Sequence, residues 1–366
     1  MRNRVLVLFS GHNDRAVIAL CRYFSQCDIP FVIVASGRED LIFKTDWSDR
    51  VVICRVDRKL DIGLFKSIRL ASNISSPDEL IICQTSEYLN QYLLGSSSEL
   101  SFIGINSFMP DVDGYMKLTN KESSRRIIDS ILGLSFPEVM DFKKINTPCV
   151  FKPKKNIIDG VVLYPRICFS ESEAKDVCQS INKEDWFVET YVNGQSYYLC
   201  GYLSRSGFFK SYWQTNLMQQ PDGKSIVFAK IGKNPGVNVN KLFQNIYEEG
   251  YFGPFMMEVI KGESNNLYFV EINPRFWGPL QLCVDFYPEV LKLFLEDLGF
   301  DEVPNLNVNR EINYDGGLYS WYFGSRGENI KKYPELMELP LDEIEELLKK
   351  NDVYFKSDTI ELHGLY

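Results

Sequence analysis

The segment YFVEINPRFWG (Tyr268–Gly278), together with the preceding FMMEVI (Phe255–Ile260), decides the fold. Both are largely apolar runs, and KGESNN (Lys261–Asn266) between them has the glycine, serine and asparagine content of a turn. The two runs are therefore predicted to pair as an antiparallel hairpin. If the turn is centred within the connecting residues, Glu258 lies directly opposite Glu271.

This hairpin is predicted to gather acidic and amide side chains on one face. Because side chains alternate along a strand, Asn273 shares the face of Glu271, and Leu267, Phe269 and Met256 are expected there too. Directly opposed Cβ atoms lie about 5 Å apart, and two carboxylates at that distance in an apolar setting repel unless a cation lies between them. With an amide oxygen from Asn273, the set suits Mg²⁺. The alternative is a polar hairpin face whose glutamates are solvated.

The residues after the second strand carry a family resemblance. Asn-Pro-Arg follows directly, and Arg275 is positioned to neutralise a phosphate or carboxylate beside a metal. The run resembles the E-x-N-x-R metal-binding signature of the ATP-grasp superfamily. Its NPRFWG ending is more similar to the carbamoyl phosphate synthetase and biotin carboxylase branch than to the D-alanine–D-alanine ligase branch. The resemblance implies that Glu258, Glu271 and Asn273 bind Mg²⁺ (or Mn²⁺), and that Arg275 stabilises the transferring phosphoryl group.

The composition is that of an ordinary folded protein and argues against several classes. The 366 residues suit two or three domains, and a net charge of −9 without a long basic run makes nucleic-acid binding unexpected. No apolar run approaches the ~20 residues of a membrane span, and the apolar run near the start is too short for a signal peptide. Nine scattered cysteines without a CxxC pair argue against a zinc site and for a reducing cytoplasm.

The first hundred or so residues alternate strand-like and helix-like segments, which predicts a parallel sheet. The strand-like segments are Val5–Phe9, Pro30–Ser36, Arg50–Val56 and Leu80–Gln84. Ligands bind at the carboxyl ends of such strands, so the residues there are candidates for small-molecule contacts, with turn and cap roles as the alternative: Ser10, Gly11, His12, Thr85, Ser86 and Glu87. No G-x-G-x-x-G follows the first strand, so a dinucleotide is not expected. The resemblance implies that this domain holds part of the acceptor site.

The next segment begins the part of the chain that resembles a nucleotide-binding domain. Residues 121–133 (KESSRRIIDSILG) are predicted to form a helix closed by Gly133. By resemblance, Lys121 at its start is the first nucleotide-binding lysine, and Lys117 is a rival for that role. A solvated lysine in the first turn is the alternative.

A second lysine ends the apolar strand of PCVFKPKK (Pro148–Lys155). A lysine at such a position is costly to bury without an anionic partner, and Lys152 matches the family lysine that contacts phosphate oxygens. In the family a glycine-rich loop then covers the phosphates with its N–H groups. Here the loop, NIIDGVVLY, contains only Gly160, which is a departure from the family pattern.

The segment EDWFVETYVNGQSYYLCGYL (Glu184–Leu203) is predicted to form a strand, a short hinge and a second strand. It resembles the adenine-binding hinge of the family. The resemblance implies that Glu189 accepts from the adenine amine and that the backbone of Tyr191 and Val192 pairs with the ring edge. Gln195 stands where the family usually has a ribose-binding glutamate, so it can bond a hydroxyl but carries no charge.

Further along, FAKIGKNPGV (Phe228–Val237) carries Lys230 and Lys233. Either lysine is a candidate to contact phosphate or the acceptor. Lys230 is predicted to be catalytic together with Arg275, and a solvated loop is the alternative. Beyond residue 300, INYDGGLYSWYFG (312–324) is predicted to form a strand pair, and PLDEIEELLKK an amphipathic helix capped by Asp342.

The ordered set of motifs predicts an N-terminal α/β parallel-sheet (pre-ATP-grasp) domain followed by a two-subdomain α+β ATP-grasp fold. The predicted ranges are 1–110 for the N-terminal domain, 111–190 for the small subdomain, 191–300 for the large subdomain and 301–366 for a C-terminal extension. The resemblance implies a cytoplasmic, ADP-forming carboxylate–amine ligase with ATP and Mg²⁺ that acts on small molecules. Related enzymes are frequently dimers, so a homodimer is a candidate assembly, but the sequence does not determine the oligomeric state. The alternatives are carboxyphosphate or carbamoyl-type activation, or a non-catalytic ATP-binding protein.

Overall fold

The computed structural model describes residues 4–73, 79–131, 133–158, 160–306, 317–338 and 340–363. Its N-terminal part is a parallel sheet in the order β3-β2-β1-β4-β5, with helices on both faces. Leu6 and Leu8 of β1 face one core cluster and Val7 and Phe9 face another, so this strand is buried on both sides as parallel strands are. The elements are β1 (Arg4–Phe9), α1 (Asp14–Gln26), β2 (Phe31–Ala35), β3 (Val51–Cys54), α2 (Ile62–Ala71), β4 (Glu79–Ile82), α3 (Glu87–Gly95), α4 (Ser97–Phe102) and β5 (Ile105–Asn106). The predicted parallel sheet is confirmed.

A smaller antiparallel sheet follows, in the order β11-β8-β12-β7, and β9 and β10 form a separate two-stranded hairpin. The elements are α5 (Val112–Thr119), α6 (Lys121–Ile128), β6 (Leu134–Ser135), β7 (Val139–Met140), β8 (Cys149–Pro153), β9 (Ile157–Ile158), β10 (Val161–Val162), β11 (Arg166–Cys168), α7 (Glu171–Ser180) and β12 (Trp186–Thr190). The helix predicted over 121–133 is too long. It ends at Ile128 because Asp129 and Ser130 are weak helix formers, and Ile131 N–H then donates to Ile128 C=O in a tight turn.

The third sheet is the largest and carries the hairpin that decides the fold. Its order is β18-β15-β14-β13-β16-β17-β6, and β19 pairs with β14. One face packs on α6 and α8, while the other shares a core cluster with the N-terminal sheet, α1, α9 and α10. The elements are β13 (Gly194–Leu203), β14 (Phe209–Gln219), β15 (Ile226–Gly232), α8 (Val239–Glu248), β16 (Gly253–Gly262), β17 (Leu267–Asn273), α9 (Gln281–Phe286), α10 (Pro288–Asp297), β18 (Leu318–Ser320) and β19 (Lys331–Lys332).

The C-terminal residues pack on the edge of this sheet. They form 3-10 turns at Phe323–Arg326 and Pro334–Glu338 and the helices α11 (Leu341–Lys350) and α12 (Ile360–His363). Of the predicted strand pair, residues 312–316 lie outside the described residues, and 318–320 form β18. The second predicted strand is wrong at its end, because residues 323–326 form a 3-10 turn. The predicted cap Asp342 lies inside α11, which begins after Pro340. No helix in the described ranges is both long and apolar enough to cross a bilayer.

The four predicted domain ranges stay predictions. One element joins two of them: β6, in the range predicted as the small subdomain, pairs in parallel with β17 of the large sheet. The first and third sheets share one core cluster. In addition, Phe276 N–H, after the end of β17, donates to Gln84 C=O, after the end of β4, at 3.1 Å, so these two strand ends lie together.

Candidate functional site

The hairpin of β16 and β17 pairs the two glutamates as predicted. Glu258 pairs directly with Glu271, and the turn closes through Asn265 N–H donating to Gly262 C=O at 2.9 Å. Asn265 has a φ of +63°, a conformation that asparagine tolerates better than most residues. The prediction that the two glutamates oppose one another is confirmed.

The neighbours of these glutamates differ from the prediction because β17 contains a bulge. Glu258 pairs with Glu271, but Val259 pairs with Phe269, so Val270 is an extra residue. Leu267 and Phe269 therefore lie on the opposite face, in the core under α6 and α8, and the expectation that they share the face of Glu271 is wrong. Met256, which alternates with Glu258 along β16, does lie on the predicted face.

Asn273 and Lys121 complete the surroundings of Glu271. Asn273 Nδ2 donates to Glu271 Oε1 at 2.7 Å, which leaves its own Oδ1 as a ligand, and Lys121 Nζ lies 3.7 Å from Glu271 Oε2. Burial acts to raise the pKa of Glu271, but Lys121, Asn273 and Lys152 outweigh it, and the pKa is lowered. Burial is also the main cause that lowers the pKa of Lys121. Glu271 is therefore the carboxylate that stays ionised.

Glu258 is oriented by a chain of buried polar groups that the sequence reasoning did not identify. Gln214 Nε2 donates to Asn216 Oδ1, Asn216 Nδ2 to Ser196 Oγ, and Ser196 Oγ to Glu258 Oε1, each at 2.7 Å. Burial, with the charge of Glu271 second, raises the pKa of Glu258 to about 7. Two carboxylates with opposite pKa shifts on one face are a pair that a cation would bring back to full ionisation.

The second predicted lysine lies in the small sheet and reaches across to the hairpin. Lys152 Nζ pairs with Glu189 and donates to Val270 C=O at 3.4 Å, and Arg125 pairs with the other oxygen of Glu189. An ammonium group has three N–H donors, so one remains after these two contacts. Glu189 is 1% exposed, and both of its carboxylate oxygens are held by cations. Adenine binding by Glu189 stays a prediction. Because each carboxylate oxygen is already paired with a cation, little hydrogen-bond accepting ability is left for the adenine amine.

Asn156 links the N-terminal domain to the lysines. Lys121 Nζ donates to Asn156 Oδ1, and Asn156 Nδ2 donates to Glu87 Oε2 at 3.1 Å. Burial raises the pKa of Glu87, which also senses Arg275 and Glu271. Of the residues predicted at the carboxyl end of β4, Glu87 is thus brought to the site, whereas Ser86 Oγ accepts from Leu89 N–H as a helix cap.

Two predicted lysines are not brought to this cluster. Lys117 Nζ forms a surface ion pair with Glu249 at 2.8 Å. Lys230 lies within β15 and is aligned across the sheet with Thr215 and Tyr197, whereas Glu258 is aligned with Tyr198, the next residue of β13. Because neighbouring residues of a strand point to opposite faces, Lys230 is on the other face of the sheet. Its Nζ pairs with Glu335 at 2.8 Å. A catalytic role for Lys230 stays a prediction that this geometry does not support.

Gln195 shares the face of Lys230. Its Oε1 accepts from Glu335 N–H at 3.0 Å, and its Nε2 donates to Asn216 C=O at 2.5 Å. The amide therefore ties β13 to the C-terminal turn at 334–338, and ribose binding stays a prediction. In the hinge, Tyr191 N–H donates to Pro148 C=O at 3.2 Å, and its hydroxyl accepts from Lys331 Nζ at 3.0 Å.

The remaining predicted hinge and loop residues lie around the small sheet. Val192 follows Tyr191 and lies against Gly262 of β16. If Gly262 carried a Cβ atom, that atom would lie 3.6 Å from Val192 Cγ1. Gly160 is exposed, with a φ of +76°, in the connection between β9 and β10. Because β9 and β10 pair with one another, the glycine-poor loop is a hairpin rather than an open coil.

Arg275 follows β17 and faces the N-terminal sheet. It forms no ion pair within 4.0 Å among the residues that the structure describes, and its charge acts on Glu271, Glu87 and His12. Of the residues after β1, Ser10 Oγ donates to Asp40 at 2.6 Å, and Gly11 has a φ of +86°.

Two signals in the sequence could have identified the missed residues. Arg125 lies four residues after Lys121, on the same face of α6. Ser196 on β13 and the pair Gln214 and Asn216 on β14 are polar at strand period, and all three are buried. Asn156 had no such signal, because it acts from a loop whose path is set by β8 and β9.

No protein-family model matches the chain, and no curated protein matches it by sequence. Solved structures do match. The biotin carboxylase domain of 2-oxoglutarate carboxylase from Hydrogenobacter thermophilus, a dimer in complex with MgADP, ADP and bicarbonate, is 16% identical with a TM-score of 0.61, over 84% of this chain and 72% of that one. N5-carboxyaminoimidazole synthetase from Staphylococcus aureus is 13% identical with a TM-score of 0.56, over 83% and 80%.

L-amino acid ligase from Bacillus licheniformis is 12% identical with a TM-score of 0.50, over 75% of this chain and 70% of that one. At such identities the similarity establishes the fold. The chain has the ATP-grasp fold shared by these proteins, and the predicted resemblance and fold class are confirmed at that level.

Proposed function

We propose that this protein is an ATP-dependent ligase that activates a carboxylate as an acylphosphate and joins it to an amine, releasing ADP and phosphate. The observation that carries the proposal is the directly opposed pair Glu258 and Glu271 with Asn273 beside it, on a sheet of the ATP-grasp fold. A protein that only had to fold would gain nothing from a buried carboxylate, Glu258, whose pKa is raised by burial and by the charge of the opposed Glu271. A cation between them removes that cost.

The residues present fit Mg²⁺ bound together with phosphates. Among the described residues, no group of three or more His, Cys, Asp or Glu side chains could hold a metal by itself. Two carboxylates and one amide oxygen are a partial set, and Mg²⁺ commonly takes its other ligands from water and substrate phosphates. Glu258, Glu271 and Asn273 would hold it, and Mn²⁺ suits the same oxygens. When bound, the ion neutralises charge on the transferring phosphoryl group.

The cationic side chains have defined tasks in this proposal. Lys121 and Lys152 each keep one N–H donor for phosphate oxygens, while their other donors are held by the protein. These contacts hold both ammonium groups in position before the substrate binds. Arg275 faces the N-terminal sheet, has no ion-pair partner within 4.0 Å among the described residues, and stabilises the acylphosphate. The hydrogen bonds that run from Gln214 through Asn216 and Ser196 hold Glu258 in a single orientation. Positioning and charge stabilisation dominate phosphoryl transfer, so no protein nucleophile is needed.

A second candidate is carboxylation through carboxyphosphate. It is favoured by the fold similarity to a biotin carboxylase domain crystallised with bicarbonate and to a carboxyaminoimidazole synthetase. The same residues would serve, with bicarbonate in place of the carboxylate. All nine cysteines are unpaired thiols, which suits a reducing cytoplasm for either reaction.

The test is ADP release from MgATP with pooled amino acids, other carboxylates and amines, and with bicarbonate in a separate arm. We expect ADP and phosphate only with particular substrates, and a loss of several orders of magnitude in Glu271→Gln. Glu263→Gln, an exposed residue in the turn of the same hairpin, is the matched control and should keep full turnover. Full ADP release by Glu271→Gln would refute the metal assignment, and release of AMP would refute the acylphosphate scheme.

A further inference from the structure

The C-terminal extension enters the large sheet beside the hinge. Lys331 of β19 pairs with Gln219 of β14. The other edge of β14 is covered by β15 as far as Gln219, so β19 lies on the edge of β14 that β13 occupies. The pairing of β13 with β14 ends at Tyr197 opposite Thr215. β19 therefore continues the line of β13 at the point where the hinge leads into the sheet.

The ammonium group of Lys331 lies against the hinge and has unused donors. Its Nζ donates to Tyr191 Oη at 3.0 Å and lies 5.2 Å and 4.8 Å from the ring centroids of Tyr191 and Tyr333. An ammonium group has three N–H donors, and this contact uses one of them. Among the residues that the structure describes, no carboxylate lies within 4.0 Å of this ammonium. A half-buried cation without an acid is costly unless an anion binds it.

The neighbours of Lys331 connect it to the face of the sheet that carries Glu258. Tyr333 is 1% exposed, and its N–H donates to Leu217 C=O at 3.0 Å. The next residue back along β14 is Asn216, whose side chain belongs to the chain of hydrogen bonds that orients Glu258. β19 and the residue after it therefore lie beside the polar groups that support the candidate metal site.

The charge of Lys331 acts on that site. Burial raises the pKa of Glu258, and the charges of Lys152 and Lys331 both act to lower it. Because its ammonium is also bonded to the Tyr191 hydroxyl, Lys331 lies between the hinge and Glu258. A nucleotide whose base binds at the hinge and whose terminal phosphates share a metal with Glu258 has to cross this interval.

The segment that carries Lys331 is fixed by the contacts of Glu335. The N–H of Glu335 donates to Gln195 Oε1 at 3.0 Å. Its carboxylate pairs with Lys230 at 2.8 Å and accepts from the Tyr197 hydroxyl at 3.2 Å. The amide predicted to bind the ribose and the lysine predicted to be catalytic thus hold the extension on the sheet. These contacts position Lys331 before any ligand binds.

We propose that Lys331 is a third nucleotide-binding lysine and that its ammonium binds a phosphate oxygen of the bound nucleotide. The inference rests on the proposed function, and it adds that the C-terminal extension completes the nucleotide site. A hydrogen bond between an ammonium and an oxyanion is about twice as strong as one between neutral groups, so a phosphate oxygen is favoured over a ribose hydroxyl.

The test is calorimetric titration of the full chain with ADP and Mg²⁺ and, separately, with adenosine, which has no phosphate. Loss of a charge-assisted contact should weaken ADP binding about tenfold or more in Lys331→Met. Lys331→Arg keeps the positive charge and should recover most of the affinity. Lys332→Met is the matched control, because Lys332 is exposed on the same strand, and it should bind ADP as the unaltered protein does. Adenosine should bind all of these proteins equally, or too weakly to measure.

Tyr191→Phe keeps the test valid if Lys331→Met folds poorly. Without the hydroxyl that holds the ammonium, ADP binding should weaken severalfold. Equal ADP affinity of the unaltered protein, Lys331→Met and Tyr191→Phe overturns the inference and leaves the nucleotide site standing. An equal loss for ADP and adenosine also overturns it, since the contact would then be to the base or ribose.

The same titrations separate this inference from the proposed function. ADP binding that depends on Lys331, in a protein that turns over no substrate, refutes the ligase and leaves the role of Lys331 standing. Absence of ADP binding by the unaltered protein overturns both.

Discussion

Replacing Glu258 by glutamine should stabilise the protein above neutral pH when no divalent cation is present. Burial and the opposed Glu271 raise the pKa of Glu258 to about 7, from an ordinary value of 4.5. A carboxyl whose pKa is raised by folding contributes stability that is fully present below pH 4.5 and is lost as the pH rises through 7. Glutamine has the same shape, can still accept from Ser196, and has no proton to lose.

The size of the effect follows from the two pKa values. At about 1.4 kcal/mol per pKa unit, the difference between 4.5 and about 7 corresponds to about 3 kcal/mol at pH 8. The unfolding entropy of globular proteins, about 2.1 cal/mol/K per residue, gives roughly 0.8 kcal/mol/K for this chain. The melting temperature of Glu258→Gln should therefore exceed that of the unaltered protein by about 4 °C at pH 8.

Thermal unfolding in a chelating buffer at pH 5 and pH 8 measures this difference. At pH 5 the two proteins should melt within about a degree of each other, since Glu258 is protonated in the folded state. Glu99→Gln, an exposed glutamate on α4, is the matched control and should show no pH-dependent difference. Mg²⁺ with ATP should raise the melting temperature of the unaltered protein more than that of Glu258→Gln. Equal differences at both pH values would show that folding does not raise the pKa of Glu258.

Two other substitutions test the frame around the site. Gly11→Ala should destabilise the N-terminal sheet by about 1–3 kcal/mol, because φ is +86° and the new Cβ would lie 2.1 Å from Ser36. Gly37→Ala is the control, since its new Cβ would have no atom within 4 Å. Equal melting temperatures of the two variants would contradict the prediction. Gln195→Ala should cost about 1–3 kcal/mol of stability and leave the KM for ATP unchanged, because its amide bonds backbone groups. A selective loss of ATP affinity at unchanged stability would instead support the predicted ribose contact.

Short-range patterns made the fold and the centre of the site predictable from the sequence. β1 to β4 are compact apolar runs separated by helical spacing, and such runs form parallel sheets whatever their partners are. The opposition of Glu258 and Glu271 was predicted from a hairpin and the centre of its turn, but in the structure the pairs next to the turn would place Glu258 opposite Val270. The bulge at Val270 shifts the register by one residue and brings Glu271 opposite Glu258. Lys152 was identifiable because a lysine that ends a buried strand needs an anion, and Glu189 was its partner in the structure.

What the sequence did not reveal depends on register across several strands. Lys230 and Gln195 fall on the far face of the large sheet because they sit one residue out of step with Glu258, and that can be read only when β13, β14, β15 and β16 are aligned together. The segment around Glu335 then covers that face, which no local pattern announces. Asn156 is a similar case, since its contacts to Lys121 and Glu87 join three separate parts of the chain.

The bulge at Val270 explains how one short strand serves both the core and the site. Without an extra residue, strict alternation would place Phe269 and Glu271 on the same face, so either a buried phenylalanine would face the phosphates or a carboxylate would enter the core. The bulge breaks the alternation between them. Phe269 and Ile272 both pack under α6 and α8, while Glu271 stays opposite Glu258. The same bulge frees the Val270 carbonyl from regular pairing, and Lys152 binds that carbonyl. One inserted residue thus positions the second carboxylate of the pair and the lysine beside it.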